Sequence, residues 1–356
     1  MFKNKSLDSL RNNFDLLSID ALIIFSPVNI EWLTGFKGSN GCVFISKKDN
    51  ILATDSRYQL QAKEETNEWK IRIGNRHGTE NISQIIIESK LSKIAILEDE
   101  ISLKNYHSLI DSMHESQRII LLKDVDNPIL KLRMRKNSNE IKMIEQSAQL
   151  ASEVIEFGIK NINSNTTEKN LADNIEIYAK KLGAEKMSFE TIVASGARAA
   201  MPHAKPTSHT IEKNTMVLID MGVYLNGYAS DITRTFWNGK KDQKFDRLYT
   251  LVKLAQSMAS ERAESKMLGK DIHAIAETIF NEANINDLFI HGLGHGIGKE
   301  VHEKPYLDKD SNDILATGSI VTIEPGIYIQ GWGGIRIEDM FEVTDTGLRQ
   351  LTTANK

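Results

Sequence analysis

Four acidic residues occupy matching places in two apolar stretches of the second half of the chain. Asp220 and Asp231 lie in the first stretch, and Glu324 and Glu338 lie in the second. Carboxylates surrounded by valine, leucine and isoleucine are rarely buried without a compensating partner. Four that converge would repel one another unless cations neutralised them, and a pair of divalent metal ions does so. Ordinary surface acids are the alternative.

A glycine-rich segment between the two acidic stretches adds three histidines. It reads HGLGHGIGKEVHE over residues 291–303 and contains His291, His295 and His302. Glycine at every second position excludes a stable helix, so His291 and His295 cannot form a helical zinc pair. The segment predicts a strand or loop whose backbone approaches a ligand closely.

Two further residues are candidates for the same site. His203 lies in the turn-like MPHAKP, where the flanking prolines restrict the backbone that carries it towards the site. A rigid surface turn would have the same sequence. Arg336 precedes Glu338 by two residues on the same strand face and could orient a carboxylate bidentately or form a structural ion pair. Ser195 lacks the context of a nucleophile. The remaining histidines are expected at the surface or in structural positions: His77, His107, His114, His209 and His273.

The elements that would position these side chains repeat. MVLIDMGVYLNG begins at Met216, and IVTIEPGIYIQG begins at Ile320, so that Asp220 matches Glu324. Each stretch is preceded by two helical patterns, and Asn137 with Glu140 predicts a capping box at the start of the first. We therefore predict two related helix–helix–hairpin halves that bring their acids together, with chance similarity of two hairpins as the alternative.

The preceding part of the chain has a different organisation. Short β-prone runs alternate with helical patterns up to about residue 123, which predicts a mixed α/β domain with its own sheet. A proline and a basic cluster then mark a boundary, and the cluster itself predicts a solvated helix. The predicted organisation is an N-terminal domain at 1–123, a linker at 124–138 and an α+β domain with an antiparallel sheet at 139–356. Trp32, Phe36 and Trp69 are expected in the first core.

The composition of the chain excludes several classes of partner and of metal site. The 356 residues include 44 basic and 48 acidic side chains, giving a net charge of −4 that offers no general attraction to nucleic acid or anionic membrane. The single cysteine excludes an internal disulfide and a thiolate metal site. No apolar run suits a signal core or a membrane span, so a cytoplasmic protein is expected.

Several motifs, in order, resemble those of the pita-bread metallopeptidases, specifically the Xaa-Pro aminopeptidases and prolidases. They are MPHAKP, IDMGVYLNGYASDITRTF, HGLGHGIGKEVHEKP, TIEPGIYI and GIRIED, and the stretches NIEWLTGFKGSNGCVFI and ATDSRYQLQA resemble the family's creatinase-like N-terminal domain. The resemblance implies an α/β creatinase-like domain followed by a pita-bread domain with internal pseudo-twofold duplication.

The resemblance also implies roles for individual residues. The metal ligands would be Asp220, Asp231, His295, Glu324 and Glu338. His203, His291 and His302 would line the substrate pocket, and Arg336 would support the ligands from outside. One imidazole with four carboxylates suits manganese, with cobalt, iron or zinc as alternatives. Two metals could share a hydroxide that attacks a peptide carbonyl, with Glu324 accepting a proton and His203 or His302 donating to the oxyanion or the leaving nitrogen.

The implied activity is removal of the residue before a penultimate proline, in a homodimer acting on proline-containing peptides. A prolidase restricted to Xaa-Pro dipeptides shares the site and differs in what blocks the far side of the pocket. A methionyl aminopeptidase would usually lack the N-terminal domain, and a creatinase-type enzyme would lack the full ligand set. A non-catalytic binding module on the same fold would typically have lost ligands.

Overall fold

A computed structural model describes residues 2–75, 79–123, 127–240 and 242–356. The chain forms two compact units, Met1–Leu132 and Arg133–Lys356, whose division falls inside the stretch 124–138. Residues 124–126 of that stretch, and His77, lie outside the described residues. No helix in the described part of the chain is long and apolar enough to cross a membrane.

The first unit is built on one six-stranded mixed sheet. Its strand order is β4-β3-β2-β1-β5-β6, with β2 antiparallel to both neighbours and the outer pairs parallel. The elements up to the unit boundary are α1 (Phe2–Leu17), β1 (Ala21–Ile24), α2 (Pro27–Thr34), β2 (Cys42–Ser46), β3 (Asn50–Asp55), α3 (Gln59–Glu65), β4 (Lys70–Gly74), α4 (Thr79–Ser89), β5 (Lys93–Leu97), α5 (Leu103–Asp111), β6 (Arg118–Leu122) and α6 (Pro128–Met134).

The core of this unit confirms the predicted aromatic positions. Trp32, Phe36 and Trp69 are all buried in one apolar cluster. The helix α2, which carries Trp32, was not among the predicted elements because its eight residues are too few for helical periodicity to show. Its local start signals are nevertheless present, since Ser26 caps the backbone of Asn29 and Pro27 occupies the first turn.

The second unit consists of antiparallel strands packed with two pairs of helices. Its elements are α7 (Ser138–Lys160), α8 (Glu168–Lys181), β7 (Lys186–Met187), β8 (Ile192–Ser195), β9 (Thr215–Met221), β10 (Val223–Leu225), β11 (Tyr228–Ala229), β12 (Ile232–Asn238), α9 (Gln243–Arg262), α10 (Gly269–Glu282), β13 (Gly294–Gly296), β14 (Glu303–Leu307), β15 (Ile320–Ile323), β16 (Gly326–Ile329), β17 (Gly333–Arg336), β18 (Asp339–Thr344) and β19 (Gly347–Gln350). The helix α7 begins with the capping box that Asn137 and Glu140 predict.

Two sheets of the second unit hold the paired acidic stretches. β9 lies between β8 and β12 in one sheet, and β15 lies between β13 and β18 in the other. The pair α7 and α8 precedes the first sheet, as α9 and α10 precede the second. The structure therefore has the α+β, antiparallel architecture that the repeated motif predicts.

Each long strand expected around an acid is broken in the structure. In the stretch that begins at Met216, β9 ends at Met221 and β10 begins at Val223. In the stretch that begins at Ile320, β15 ends at Ile323 and β16 begins at Gly326. A Cβ on Gly222 would lie 1.8 Å from the carbonyl oxygen of Ser230, so only glycine allows this close approach. Pro325 has no N–H with which to continue a ladder. The breaks leave Asp220 and Glu324 beside strand ends.

The expectation of a fully solvated basic cluster at the boundary was wrong. Lys131 and Arg135 are exposed, but the side chains of Arg133 and Lys136 are only 3% and 2% exposed. Both bind the buried carboxylate of Glu303, with N···O distances of 2.6 Å. The compensating acid lies more than 160 positions further along the chain, so no local sequence pattern predicts that these two basic side chains are buried.

Candidate metal centre

The breaks in the strands bring the five predicted metal ligands to one place. Asp220 is near the end of β9 and Asp231 directly precedes β12, where Asp220 pairs with Thr233 across the ladder. In the second sheet Ile323 pairs with Asp339, so Glu324 and Glu338 lie just beyond the last pair of β15 and β18. His295 is the central residue of β13.

Three overlapping groups of side chains have ligand atoms within 4.8 Å of one another. Together they contain all five predicted ligands and His302, and they are Asp220–Asp231–Glu338, His295–Glu324–Glu338 and Asp231–His295–His302. Because Asp231, His295 and Glu338 each belong to two groups, the arrangement is one continuous cluster. Its oxygen-rich composition is compatible with divalent metal ions.

The imidazole of His295 provides a direct test of whether a cation fits. Its Nδ1 lies 3.0 Å from the carbonyl oxygen of Gly296, which assigns the ring proton to Nδ1. The other nitrogen, Nε2, then presents a lone pair to Oε1 of Glu324 at 3.4 Å and to Oδ2 of Asp231 at 3.7 Å. Burial lowers the pKa of His295 to about 4, which keeps the ring neutral near pH 7. A lone pair facing two ionised carboxylates is unfavourable unless a cation, or a proton on one of the carboxylates, lies between them.

The carboxylates show the same need for positive charge. Oδ1 of Asp220 and Oε1 of Glu338 are buried and have no hydrogen-bond partner among the described residues. Burial and neighbouring acids raise the pKa of Asp231 and of Glu338 well above the ordinary range, and burial raises the pKa of Glu324 to about 8. Bound divalent cations would satisfy the unpaired oxygens and favour the ionised carboxylates.

Arg336 contacts one of the predicted metal ligands, Asp220, through a single nitrogen of its guanidinium. Its Nη2 lies 2.5 Å from Oδ2 of Asp220, while its Nη1 donates to the hydroxyl of Tyr328 at 2.6 Å. The expected bidentate contact with a carboxylate is therefore not formed. The two halves of the guanidinium fork are divided between a ligand and a tyrosine, since both partners lie within its reach in the folded chain.

Tyr328 extends the chain of hydrogen bonds to His291. The tyrosine oxygen lies 3.0 Å from Nε2 of His291, and Nδ1 of the same ring lies 2.7 Å from the carbonyl oxygen of Gly292. The consistent assignment has Nδ1–H donating to Gly292, and the Tyr328 hydroxyl donating to Nε2 while it accepts from Arg336. Burial lowers the pKa of His291 to about 4, in agreement with a neutral ring. Both ring nitrogens of His291 are thus already engaged.

The cluster forms the floor of a cavity of about 520 Å³. His203, His291 and His302, the three predicted pocket histidines, all line it. The His302 ring lies 4.4 Å from the ring of His295, edge to face, and both His203 and His302 are exposed. The structure therefore brings every predicted site residue to one cavity of the second unit. His209 is exposed, and His273 is buried and stacked on Phe289, away from the ligand groups.

Sequence reasoning missed the residues that hold the ligands from behind. The hydroxyl of Thr233 donates to Oε2 of Glu338 at 2.7 Å and accepts from Nε of Arg336 at 3.2 Å. Thr322 donates through its hydroxyl to Oε1 of Glu324 at 3.3 Å. Tyr328 was visible only as a member of the repeated motif. Threonine and tyrosine at these places also suit ordinary strands, so only their neighbours reveal the contacts.

A cluster of buried carboxylates and one neutral histidine beneath a peptide-sized cavity defines a metallo-exopeptidase in this fold. The chain belongs to metallopeptidase family M24, whose model matches residues 142–345. The model of the creatinase/prolidase N-terminal domain matches residues 7–135. The family implies divalent metal ions, and the cluster is compatible with them.

Relatives named as Xaa-Pro peptidases match almost the whole chain. A Xaa-Pro dipeptidase from Pyrococcus furiosus is 34% identical over 352 residues, covering 98% of each chain. Among solved structures, a Xaa-Pro dipeptidase from Bacillus anthracis has a TM-score of 0.95 at 32% identity, covering 99% of this chain and 98% of the other. An X-Pro aminopeptidase from Thermotoga maritima has a TM-score of 0.88 at 31% identity, covering 97% and 98%.

Proposed function

We propose that this metal-dependent peptidase hydrolyses the bond before a proline at the second position of a peptide, as an Xaa-Pro aminopeptidase. The observation that carries the proposal is the continuous cluster of Asp220, Asp231, His295, Glu324 and Glu338 beneath a cavity lined by three histidines. We assign these five residues as the ligands of two divalent ions. The relatives named as Xaa-Pro peptidases support the substrate class.

The ions would supply activation of water and polarisation of the peptide carbonyl. The chain's own residues would do the rest. Glu324, at the edge of the ligand cluster, accepts the proton of the attacking water and passes it towards the leaving nitrogen. His203 and His302 project into the cavity, where they donate hydrogen bonds to the oxyanion or the leaving nitrogen. Arg336 pairs with Asp220 and holds its carboxylate in place.

A prolidase that accepts only Xaa-Pro dipeptides is the second candidate, and the names of several relatives favour it. The two candidates use the same ligands and the same histidines. They differ in whether the cavity accommodates chain beyond the proline. Cleavage of Ala-Pro and Ala-Pro-Ala by the same preparation, compared with Ala-Ala-Ala, separates the two candidates. Hydrolysis of the tripeptide supports the aminopeptidase, and hydrolysis of the dipeptide alone supports the prolidase.

The test of the whole proposal is the same peptide panel with manganese, cobalt, zinc or a chelator. We expect activity only with added metal and only where proline is second. Glu324→Ala separates proton transfer from simple metal loss if bound metal is measured in the same sample. Near-normal turnover of that variant with metal bound would overturn the assigned role of Glu324.

The finer assignments follow from the donor set and from the family. Four carboxylates and one imidazole form a hard, oxygen-rich set, so we propose manganese as the resident metal. A cytoplasmic homodimer remains our proposal from the resemblance to the family. For the domain bounds we propose 1–123 and 139–356 with 124–138 as linker, which agrees with a division of the compact units after Leu132.

A further inference from the structure

A buried carboxylate outside the metal cluster holds both ends of the segment 195–207. Glu168, the first residue of α8, has a fully buried side chain. Its Oε1 accepts from the backbone N–H of Ser195 at 2.9 Å and from the hydroxyl of the same residue at 3.1 Å. Its Oε2 accepts from the N–H of Thr207 at 3.2 Å and from the Thr207 hydroxyl at 2.9 Å. Nε of Arg198 reaches both oxygens, at 3.2 and 2.9 Å.

The segment closed in this way forms one wall of the cavity. Five consecutive residues of the segment, 202–206, line the cavity, and His203 is the second of them. The imidazole of His203 forms no hydrogen bond with the described residues, so the position of the ring depends on the backbone that carries it. Inside the segment, Nη2 of Arg198 donates to the carbonyl of Lys205 at 2.7 Å. The guanidinium that binds Glu168 therefore also fixes the backbone two residues from His203.

We propose that Glu168 is a positioning residue that holds His203 in register with the metal cluster. This inference rests on the proposed function, because it assigns Glu168 a part in the same reaction. Glu168 reaches neither the cavity nor the ligands, and acts only through the segment it closes. On the far side, Arg336 donates to the carbonyl of Pro202 at 3.3 Å through Nη1. The segment is thus fixed between Glu168 and the arginine that also binds Asp220.

The contacts require a group that accepts hydrogen bonds through both of its atoms, rather than any polar group of the same shape. All five groups around Glu168 are donors, namely two backbone N–H groups, two hydroxyls and one guanidinium N–H. A glutamine would present an NH₂ group to donors on one side. A backbone N–H cannot reverse its role, so at least one end of the segment would lose its backbone hydrogen bond to the side chain of residue 168. Glu168→Gln is therefore a nearly isosteric test.

The experiment compares Glu168→Gln with Glu176→Gln, a control on the same helix about two turns further on. Hydrogen exchange of 196–207, metal affinity by calorimetry with Mn²⁺, and kcat/KM for an Xaa-Pro peptide are measured on each full-length protein. We expect faster exchange in 196–207 and unchanged exchange in 291–303. Mn²⁺ affinity should stay within about 3-fold, and kcat/KM should fall on the order of 100-fold, the effect of misplacing a reacting group by ~1 Å. The control should match the wild type.

A double-mutant cycle with His203→Ala distinguishes positioning from a general structural role. If Glu168 acts through His203, adding Glu168→Gln to His203→Ala should lower kcat/KM by less than about 3-fold. Full additivity, or unchanged exchange in 196–207, would overturn the inference. If Glu168→Gln does not fold, Thr207→Val removes one hydroxyl contact at one end and is held to the same criteria. Failure of the wild type to cleave any Xaa-Pro peptide would refute the proposed function, while the exchange comparison would still test whether Glu168 closes the segment.

Discussion

Replacing Lys136 by methionine should destabilise the second unit far more than a lysine substitution normally does. The Nζ of Lys136 lies 2.6 Å from Oε1 of Glu303, and both side chains are almost completely buried. Removing one partner of a buried ion pair costs about 3–5 kcal/mol because the other charge stays buried. Arg133 still contacts Glu303, so we expect the lower end, about 3 kcal/mol. For a unit of this size that corresponds to a fall in Tm of roughly 6–12 °C.

The pKa of Glu303 provides a second, independent test of this prediction. Burial alone would raise the pKa of Glu303, but the charges of Lys136 and Arg133 outweigh it and lower the pKa below its ordinary value. A carboxyl with a lowered pKa in the folded state stabilises the fold above its unfolded pKa of ~4.3. That stability is lost as the pH falls through the folded pKa. The deficit of Lys136→Met should therefore be largest near pH 7 and shrink on acidification towards and below pH 4.

The assay is urea unfolding of the metal-free protein at pH 7 and at pH 4, followed by a probe of the second unit. Lys142→Met, at an exposed position of α7, is the matched control and should change the free energy of unfolding by less than about 0.5 kcal/mol. The double variant Lys136→Met/Glu303→Gln should lose less than the sum of its single changes. A deficit equal to that of the control, or one that does not change between the two pH values, would refute the reasoning.

Three further predictions concern the metal centre. Glu338→Gln should raise the Tm of the metal-free protein at pH 8 and leave it unchanged near pH 4. Burial and nearby acids raise the pKa of Glu338 in the folded state, so its ionisation costs stability as the pH rises. Calorimetry in chelator measures this, and a lower Tm at pH 8 would contradict it. Thr233→Val, which removes the hydroxyl that binds Glu338 and Arg336, should weaken Mn²⁺ binding about 10–100-fold, and an unchanged Kd would be the contrary result. Tyr328→Phe should lower kcat/KM about 10–100-fold and leave Mn²⁺ affinity nearly intact, because it removes a hydrogen bond to the charged Arg336 and one to His291. Steady-state kinetics and metal analysis measure the two quantities. An equal loss of kcat/KM and of Mn²⁺ affinity would show that Tyr328 merely holds the fold.

Local patterns in the sequence were sufficient to predict most of the secondary structure. The capping box at Asn137 and Glu140 predicts the start of α7, and the structure contains it. The strand breaks beside Asp220 and Glu324 were not predicted, although Gly222 and Pro325 are their local causes. Apolar periodicity continues through both breaks, so a pattern based on alternation cannot detect them.

The sequence by itself determined which atoms could bind metal, because residue type sets ligand chemistry and the repeated motif sets matching positions for the acids. It also determined the family, since the motifs occur in order along the chain. Only the tertiary structure decided how the supporting side chains pair: Arg336 divides between Asp220 and Tyr328, Lys136 binds Glu303, and Glu168 closes the segment that carries His203. The physical reason is that these bonds join residues far apart in the chain, whereas helical and strand periodicity records only neighbours a few positions away. A buried charge is tolerated because of a distant partner, and that partner becomes visible only when the chain has folded.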